Sequence, residues 1–176
     1  MKKKTAAAQP IAAAVADQAA LEQAQRLAVL KKLRIVVRSA QRHSNWIEKQ
    51  CGVSGAQLWI MQELHTAPGL KVGEIAARLA IHQTTTSNLL DELQKKAYVI
   101  KERDSQDQRV VRLTLAESGR LLLERAPKPA QGLLPGALMR MSGLPLQTLD
   151  DGLQCLLDSI DVLDEEHGML PLPFTM

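Results

Sequence analysis

IHQTTTSNLLDELQKKAYVIKERDSQDQRVVRLTL, residues 81–115, is a helix-forming stretch that passes at once into two β-type runs around a charged tip. Leu89, Leu90 and Leu93, with Thr86 a turn earlier, recur at helical spacing and set the buried stripe of a helix from Thr84 to Lys96. Thr84, Thr85, Ser87 and Asn88 leave the other faces of its start polar. Tyr98, Val99 and Ile100, then Val110, Val111, Leu113 and Leu115, are β-type runs, and RDSQDQR between them makes the tip of a two-stranded wing.

Upstream, Ser54 is the predicted N-cap of a helix through His65 that offers Leu58, Ile60, Met61 and Leu64 to a core. Ala67, Pro68 and Gly69 turn the chain, Lys71 and Val72 are a short extended piece, and Gly73 to Leu79 form a short helix. Ala80 to Gln83 then turn into the polar-faced helix, the order of a helix-turn-helix. Further back, Leu27, Leu30, Leu33, Val37, Ala40 and Ile47 recur at helical steps, so a long first helix is expected from Asp17 to Lys49. Its apolar stripe is too long for a small winged domain to cover, and a second subunit is its natural partner.

Downstream, Thr114 followed by Glu117 fits a capping box for a helix ending near Ala126, ahead of Pro127, Pro129 and Pro135. A short helix over Ala137–Met141 comes next. The last helix starts near Pro145 and runs to Glu166, with Leu149, Leu153, Leu156, Leu157, Ile160 and Leu163 as its stripe. The start, MKKKTAAAQPIAAAVADQAA, reads as a basic disordered tail over residues 1–16, because Gln9, Pro10 and Asp17 interrupt any apolar core of a secretion signal. The expected divisions are therefore the tail, a dimerisation helix at 17–50, a winged helix-turn-helix at 51–115 and terminal helices at 116–176.

At 176 residues, with 45% hydrophobic and only 2% aromatic content, the chain suits a mostly α fold with a small β-wing. No apolar run approaches the roughly 20 residues of a membrane span. Residues 1–50 carry 10 Lys/Arg against 3 Asp/Glu, and residues 115–176 carry 4 against 9, so the two ends complement each other electrostatically. The 2 cysteines make no disulfide framework, in keeping with a reducing cytoplasm. There is no Gly-rich phosphate loop, no paired Cys or His at metal spacing and no Ser elbow, so neither an enzyme nor a cofactor is expected.

A helix with a hydroxyl- and amide-rich first turn fits a DNA major groove, and an Arg-tipped hairpin beside it reaches the next minor groove. From Leu27 to Leu163 the chain resembles the MarR family of winged helix-turn-helix transcription regulators. The most specific part is the wing, Arg103, Asp107 and Arg109 in RDSQDQR followed by RLTLAESG. The resemblance implies a homodimer whose terminal helices interlock and whose two recognition helices read a pseudo-palindrome in double-stranded DNA, most simply as a repressor of neighbouring genes.

Thr84, Thr85, Ser87 and Asn88 are the expected base-reading residues, with Gln83 and His82 on phosphate. Asn pairs bidentately with adenine; the family often has Arg where Asn88 stands, so an adenine contact replaces a guanine one. Arg109 is expected in the minor groove, held by Asp107, and Arg103, Lys101 and Lys71 on the DNA backbone. Two positions depart from the family pattern. Ala97 stands where Gly is usual, which disfavours a left-handed residue, and Ala116 replaces a capping Thr, a loss for Thr114 to offset.

Family members often release DNA on binding small phenolic or heteroaromatic acids. Arg38, Arg42, His43 and Trp46 on the first helix, with Trp59, Met61 and His65 on the next, are the candidate pocket residues. Two alternatives remain open: a thiol-based redox sensor acting through Cys51, and a winged-helix module that binds protein instead of DNA.

Overall fold

The computed structural model describes residues 8–161 and 164–176. Residues 1–7 of the expected tail, and Leu163 of the expected last stripe, lie outside these. The elements run α1 (Ala8–Cys51), α2 (Gly55–Thr66), α3 (Val72–Leu79), α4 (Gln83–Lys95), β1 (Val99–Arg103), β2 (Val111–Leu115), α5 (Glu117–Arg125), α6 (Leu133–Leu138) and α7 (Leu144–Asp158), followed by 3-10 turns at Glu165–Met169 and Pro173–Thr175. The chain divides into two compact units, one ending at Ser39 and one spanning Ala40–Met176. That division falls inside α1, where, among the described residues, Ala40, Ser44, Ile47 and Cys51 become buried. Among the described residues no helix is long and apolar enough to cross a membrane.

In the first unit, α1 starts at Ala8, ahead of the expected Asp17. Alanine is the strongest helix former, and Pro10 falls in the first turn, where its missing N–H is harmless. Glu22 pairs with Arg26 one turn on, at 3.0 Å. Leu27, Leu30 and Val37 are all exposed on this chain.

The core belongs to the second unit. Ser54 Oγ accepts from Gln57 N at 3.2 Å while Gln57 Oε1 accepts from Ser54 N at 3.1 Å, so α2 starts on a reciprocal capping box. From α2, Leu58, Ile60, Met61 and Leu64 are fully buried; they meet Ile75 of α3 and Leu90 and Leu93 of α4, with Leu113 of β2 closing the cluster. Gln57 Nε2 also donates to the Glu92 carboxylate, tying α2 to α4.

Two alanines hold left-handed backbone, Ala80 at φ 53° and Ala97 at φ 58°. The expectation for Ala97 is thus overturned. Tyr98 N donates to Leu93 O and Ala97 N to Gln94 O, both at 2.9 Å, so two orphan carbonyls of α4 are satisfied and the chain is aimed straight into β1. That gain outweighs a steric cost of about 1–2 kcal/mol for a left-handed alanine.

The wing is an antiparallel pair in the register Val99↔Leu115, Lys101↔Leu113 and Arg103↔Val111. Leu70, and not Lys71–Val72, supplies the extended piece beside it, through a bridge to Leu113. Thr114 does not cap α5; it sits in β2 opposite Ile100, and the cap is Ala116 without a side-chain bond. Thr114 is two residues short of the cap position, and Glu117 pairs with Arg120 instead. Ala116 N donates to Tyr98 O at 2.9 Å, and a Cβ on Gly119 would overlap that same oxygen, so only glycine lets α5 sit this close to the foot of the wing.

The later helices shift from expectation. The short one is Leu133–Leu138 and not Ala137–Met141, because Gly132 at φ 95° turns the chain into it and Pro135 fits the first turn. α7 ends at Asp158, short of Glu166, where Ser159 N and Ile160 N tighten onto Leu156 O and Leu157 O. No residue of α7 is buried, and Leu149, Leu153, Leu156 and Leu157 stand exposed along it.

Candidate nucleic-acid interface and effector cavity

α4 presents its polar start outward. Gln83, Thr84 and Asn88 are exposed, Thr85, Ser87 and His82 half-buried, while Thr86 is fully buried and returns its hydroxyl to His82 O at 3.0 Å. Among the described residues, the side chains of Gln83, Thr84, Thr85, Ser87 and Asn88 make no hydrogen bond, and those of Gln83, Thr84 and Asn88 stand in solvent. Thr84, Ser87 and Asn88 share a face by their spacing of three and four.

The tip of the wing is organised by two carboxylates. Asp107 Oδ1 accepts from Arg109 N at 3.0 Å, so Asp107 orders the backbone of Arg109 and does not grip its guanidinium. Among the described residues the Arg109 guanidinium has no ion pair. Asp104 accepts from Gln106 N at 2.9 Å and from Arg112 Nε at 2.8 Å. The Arg112 guanidinium, then the Gln106 N–H, hold the Asp104 carboxyl below the usual aspartate range. Arg103 reaches Gln108 O at 3.4 Å, and Lys71 is exposed, its N–H donating to Glu74 at 2.7 Å.

Lys101, expected on a phosphate, is instead bound to Asp91 of α4, and the hydrogen bond and charge of Lys101 depress the Asp91 pKa. Sequence reasoning missed Asp91, Asp104 and Arg112. Their spacing carries no motif, since the pairs form only once the hairpin register and the α4–β1 turn are set.

A second feature is a cavity of about 250 Å³. The end of α1 lines it with His43 and Ile47, α2 with Trp59, the α3–α4 turn with Ile81, and the C-terminal segment with Leu172 and Phe174. His43 Nε2 donates to Pro129 O at 3.3 Å, its ring standing edge-on to Trp46 with centroids 5.8 Å apart; Trp59 Nε1 donates to Glu63 at 3.0 Å. Of the expected effector residues, His43 and Trp59 line the cavity; Arg38, Arg42, Trp46, Met61 and His65 do not. Met61 is spent on the core, and Arg42, Trp46 and His65 are exposed elsewhere. Among the described lining residues there is no Lys or Arg, and His43 is the titratable side chain.

Cys51 is buried, and burial pushes its thiol up, the opposite of what a sensing thiol needs; Cys155 is exposed.

Residues 52–110 match the model of the MarR family. The HTH-type transcriptional repressor MdtR of Bacillus subtilis is 33% identical over 78 residues, 44% of this chain and 50% of that protein. The HTH-type transcriptional regulator YsmB of the same organism is 27% identical over 94 residues, 53% of this chain and 64% of its own length. The chain thus spans between half and two thirds of the curated relatives it matches. Among solved structures, the S. aureus MepR–DNA complex aligns with a TM-score of 0.54 at 22% identity, covering 74% of this chain and 96% of that one. BldR from Sulfolobus solfataricus aligns at 0.51 with 23% identity, covering 77% and 96%. These likenesses show the winged-helix fold.

Proposed function

We propose, on the premise that this chain is a member of the MarR family, that it is a homodimeric transcriptional repressor that binds an inverted repeat in double-stranded DNA and is released by a small aromatic effector. The observation that carries this reading is the solvent-facing, unbonded polar start of α4 beside a wing whose Arg109 guanidinium has no ion pair among the described residues. Such a helix supplies base-edge contacts in a major groove and such an arginine suits the negative potential of a narrow minor groove.

Dimerisation is supported by the apolar stripes left uncovered on one chain, Leu27, Leu30 and Val37 of α1 and Leu149, Leu153 and Leu156 of α7. A twofold dimer carries two α4 readers, which is why the operator takes the form of an inverted repeat. The cavity supports an aromatic effector, and a lining that holds no Lys or Arg among the described residues favours one without an acid group.

Selection of binding sites from a random duplex pool, with light scattering on the purified chain, tests the reading. The expected product is an inverted repeat bound by a dimer. Enrichment of no sequence at all overturns it in favour of a protein-binding winged helix, and a monomer with full affinity overturns the dimer.

A further inference from the structure

We propose that the C-terminal segment Gly168–Thr175 is a movable wall of the cavity, that the cavity takes an uncharged aromatic ligand, and that occupancy is read at α4 through the hydrogen bond from His82 N to Met169 O. The proposal deepens the effector reading above and rests on it only where DNA is concerned.

The ligand class is set by the lining. Trp59, Ile47, Leu172 and Phe174 supply apolar surface, and among the described lining residues His43 is the one titratable group, its Nε2 donating to Pro129 O. A carboxylate in such a site would be desolvated with no Lys or Arg among the described lining residues to meet it, whereas a neutral amide or hydroxyl needs only a hydrogen bond, which Ser44 and Gln131 are placed to give.

The wall is loosely held. Leu170 and Leu172 remain 44% and 45% exposed, and the backbone bonds of Leu170 N to His167 O and Thr175 N to Leu172 O are internal to the C-terminal segment. Among the described residues one backbone bond ties it to the helices, His82 N to Met169 O at 2.9 Å. Segments with few buried contacts and one such bond open at low free energy. The cavity exists with the wall in place, so a ligand inside it gains contacts with Leu172 and Phe174 only in the closed state. A ligand shifts a population by that differential affinity, and the shift here is toward closure. His82 is the N-cap of α4, with its carbonyl on Thr86 N, so closure fixes the residue from which the recognition helix starts.

The test uses the full chain without DNA, with naphthalene-2-carboxamide and naphthalene-2-carboxylate as matched neutral and anionic probes. Calorimetry is expected to show the amide binding about tenfold or more tightly than the carboxylate. Exchange of the His82 amide is expected to slow about threefold or more when the amide is bound. A chain ending at His167, and as a milder change Phe174→Ala in the full chain, should bind the amide about tenfold more weakly while keeping the thermal transition of the core. Equal or tighter binding of the carboxylate, no binding of either probe, His82 exchange that stays constant or quickens, or unaltered affinity in both variants would each overturn the proposal. Loss of sequence-specific DNA binding in a separate mobility shift would sink the regulator reading and leave these readouts standing.

Discussion

Arg112 bridges Asp104 and the loop before α3: its Nε donates to Asp104 Oδ2 at 2.8 Å while its Nη1 reaches Gly69 O at 3.2 Å. One guanidinium therefore fixes the tip of the wing and the edge against which the wing lies. Asp104 is held by Arg112 and the Gln106 N–H with a depressed pKa, so its contribution is present above the ordinary aspartate value of 3.8 and is lost as pH falls through the lower folded value. Backbone order over residues 104–110, followed by NMR relaxation, should persist at neutral pH and collapse in acid below 3.8. Asp104→Asn should loosen the wing already at neutral pH and erase that acid transition; a wing equally ordered in the variant would remove Asp104 from this role.

Arg109 sits on that ordered tip with its guanidinium in solvent. Arg109→Ala should weaken operator binding and lower the salt slope by about one unit, leaving the thermal transition unchanged. The check is a salt titration of affinity on the selected operator, and an identical slope in wild type and variant would take Arg109 off the DNA.

Asn88 is exposed on α4 one turn from Thr84. Asn88→Ala should cost about 1–3 kcal/mol at a single base pair and flatten the preference there. Binding to a panel of single-substitution operators distinguishes this from a phosphate contact, for which the loss would be uniform.

Ala97 at φ 58° carries the steric penalty of a left-handed alanine. Ala97→Gly should raise stability by up to about 1 kcal/mol, the relief exceeding the extra freedom glycine has when unfolded. Chemical denaturation reads this as a higher midpoint at constant slope; a lower midpoint contradicts it.

Leu156 is exposed on the single chain within a stripe of four leucines along α7. If a second copy covers that stripe, Leu156→Asp leaves a buried unpaired charge worth several kcal/mol. Light scattering over a dilution series should then show monomer or aggregate, with affinity for the full inverted repeat lost. A variant that stays dimeric shows that α7 lies outside the dimer contact.

The parts legible in the sequence are those written in local pattern. Leu89, Leu90 and Leu93 declare a buried stripe wherever the helix lands, and Ser54 declares a helix start. Ala97 escapes such reading because its backbone is decided by the direction β1 must take out of α4, and not by the propensity of alanine. Asp104, Arg112 and the Lys101–Asp91 pair depend on hairpin register and on the turn out of α4, so no spacing along the chain foretells them. The wall at Gly168–Thr175 has neither period; LPLPFT owes its placement to the groove it lies against.

Gly119 gives the molecule a fixed joint. With its hydrogen pressed toward the Tyr98 carbonyl, and with Ala116 N and Ser118 Oγ bonded to Tyr98 O and Ala97 O, the end of α4, the foot of the wing and the start of α5 are spliced into one rigid node. Length at the far tip of the hairpin bears on Asp104, Asp107 and Arg109, and not on this node. An insertion or deletion between Ala97 and Val99, or between Leu115 and Gly119, would swing everything downstream relative to α4. Homologous chains should therefore keep these two intervals at constant length even where their composition drifts.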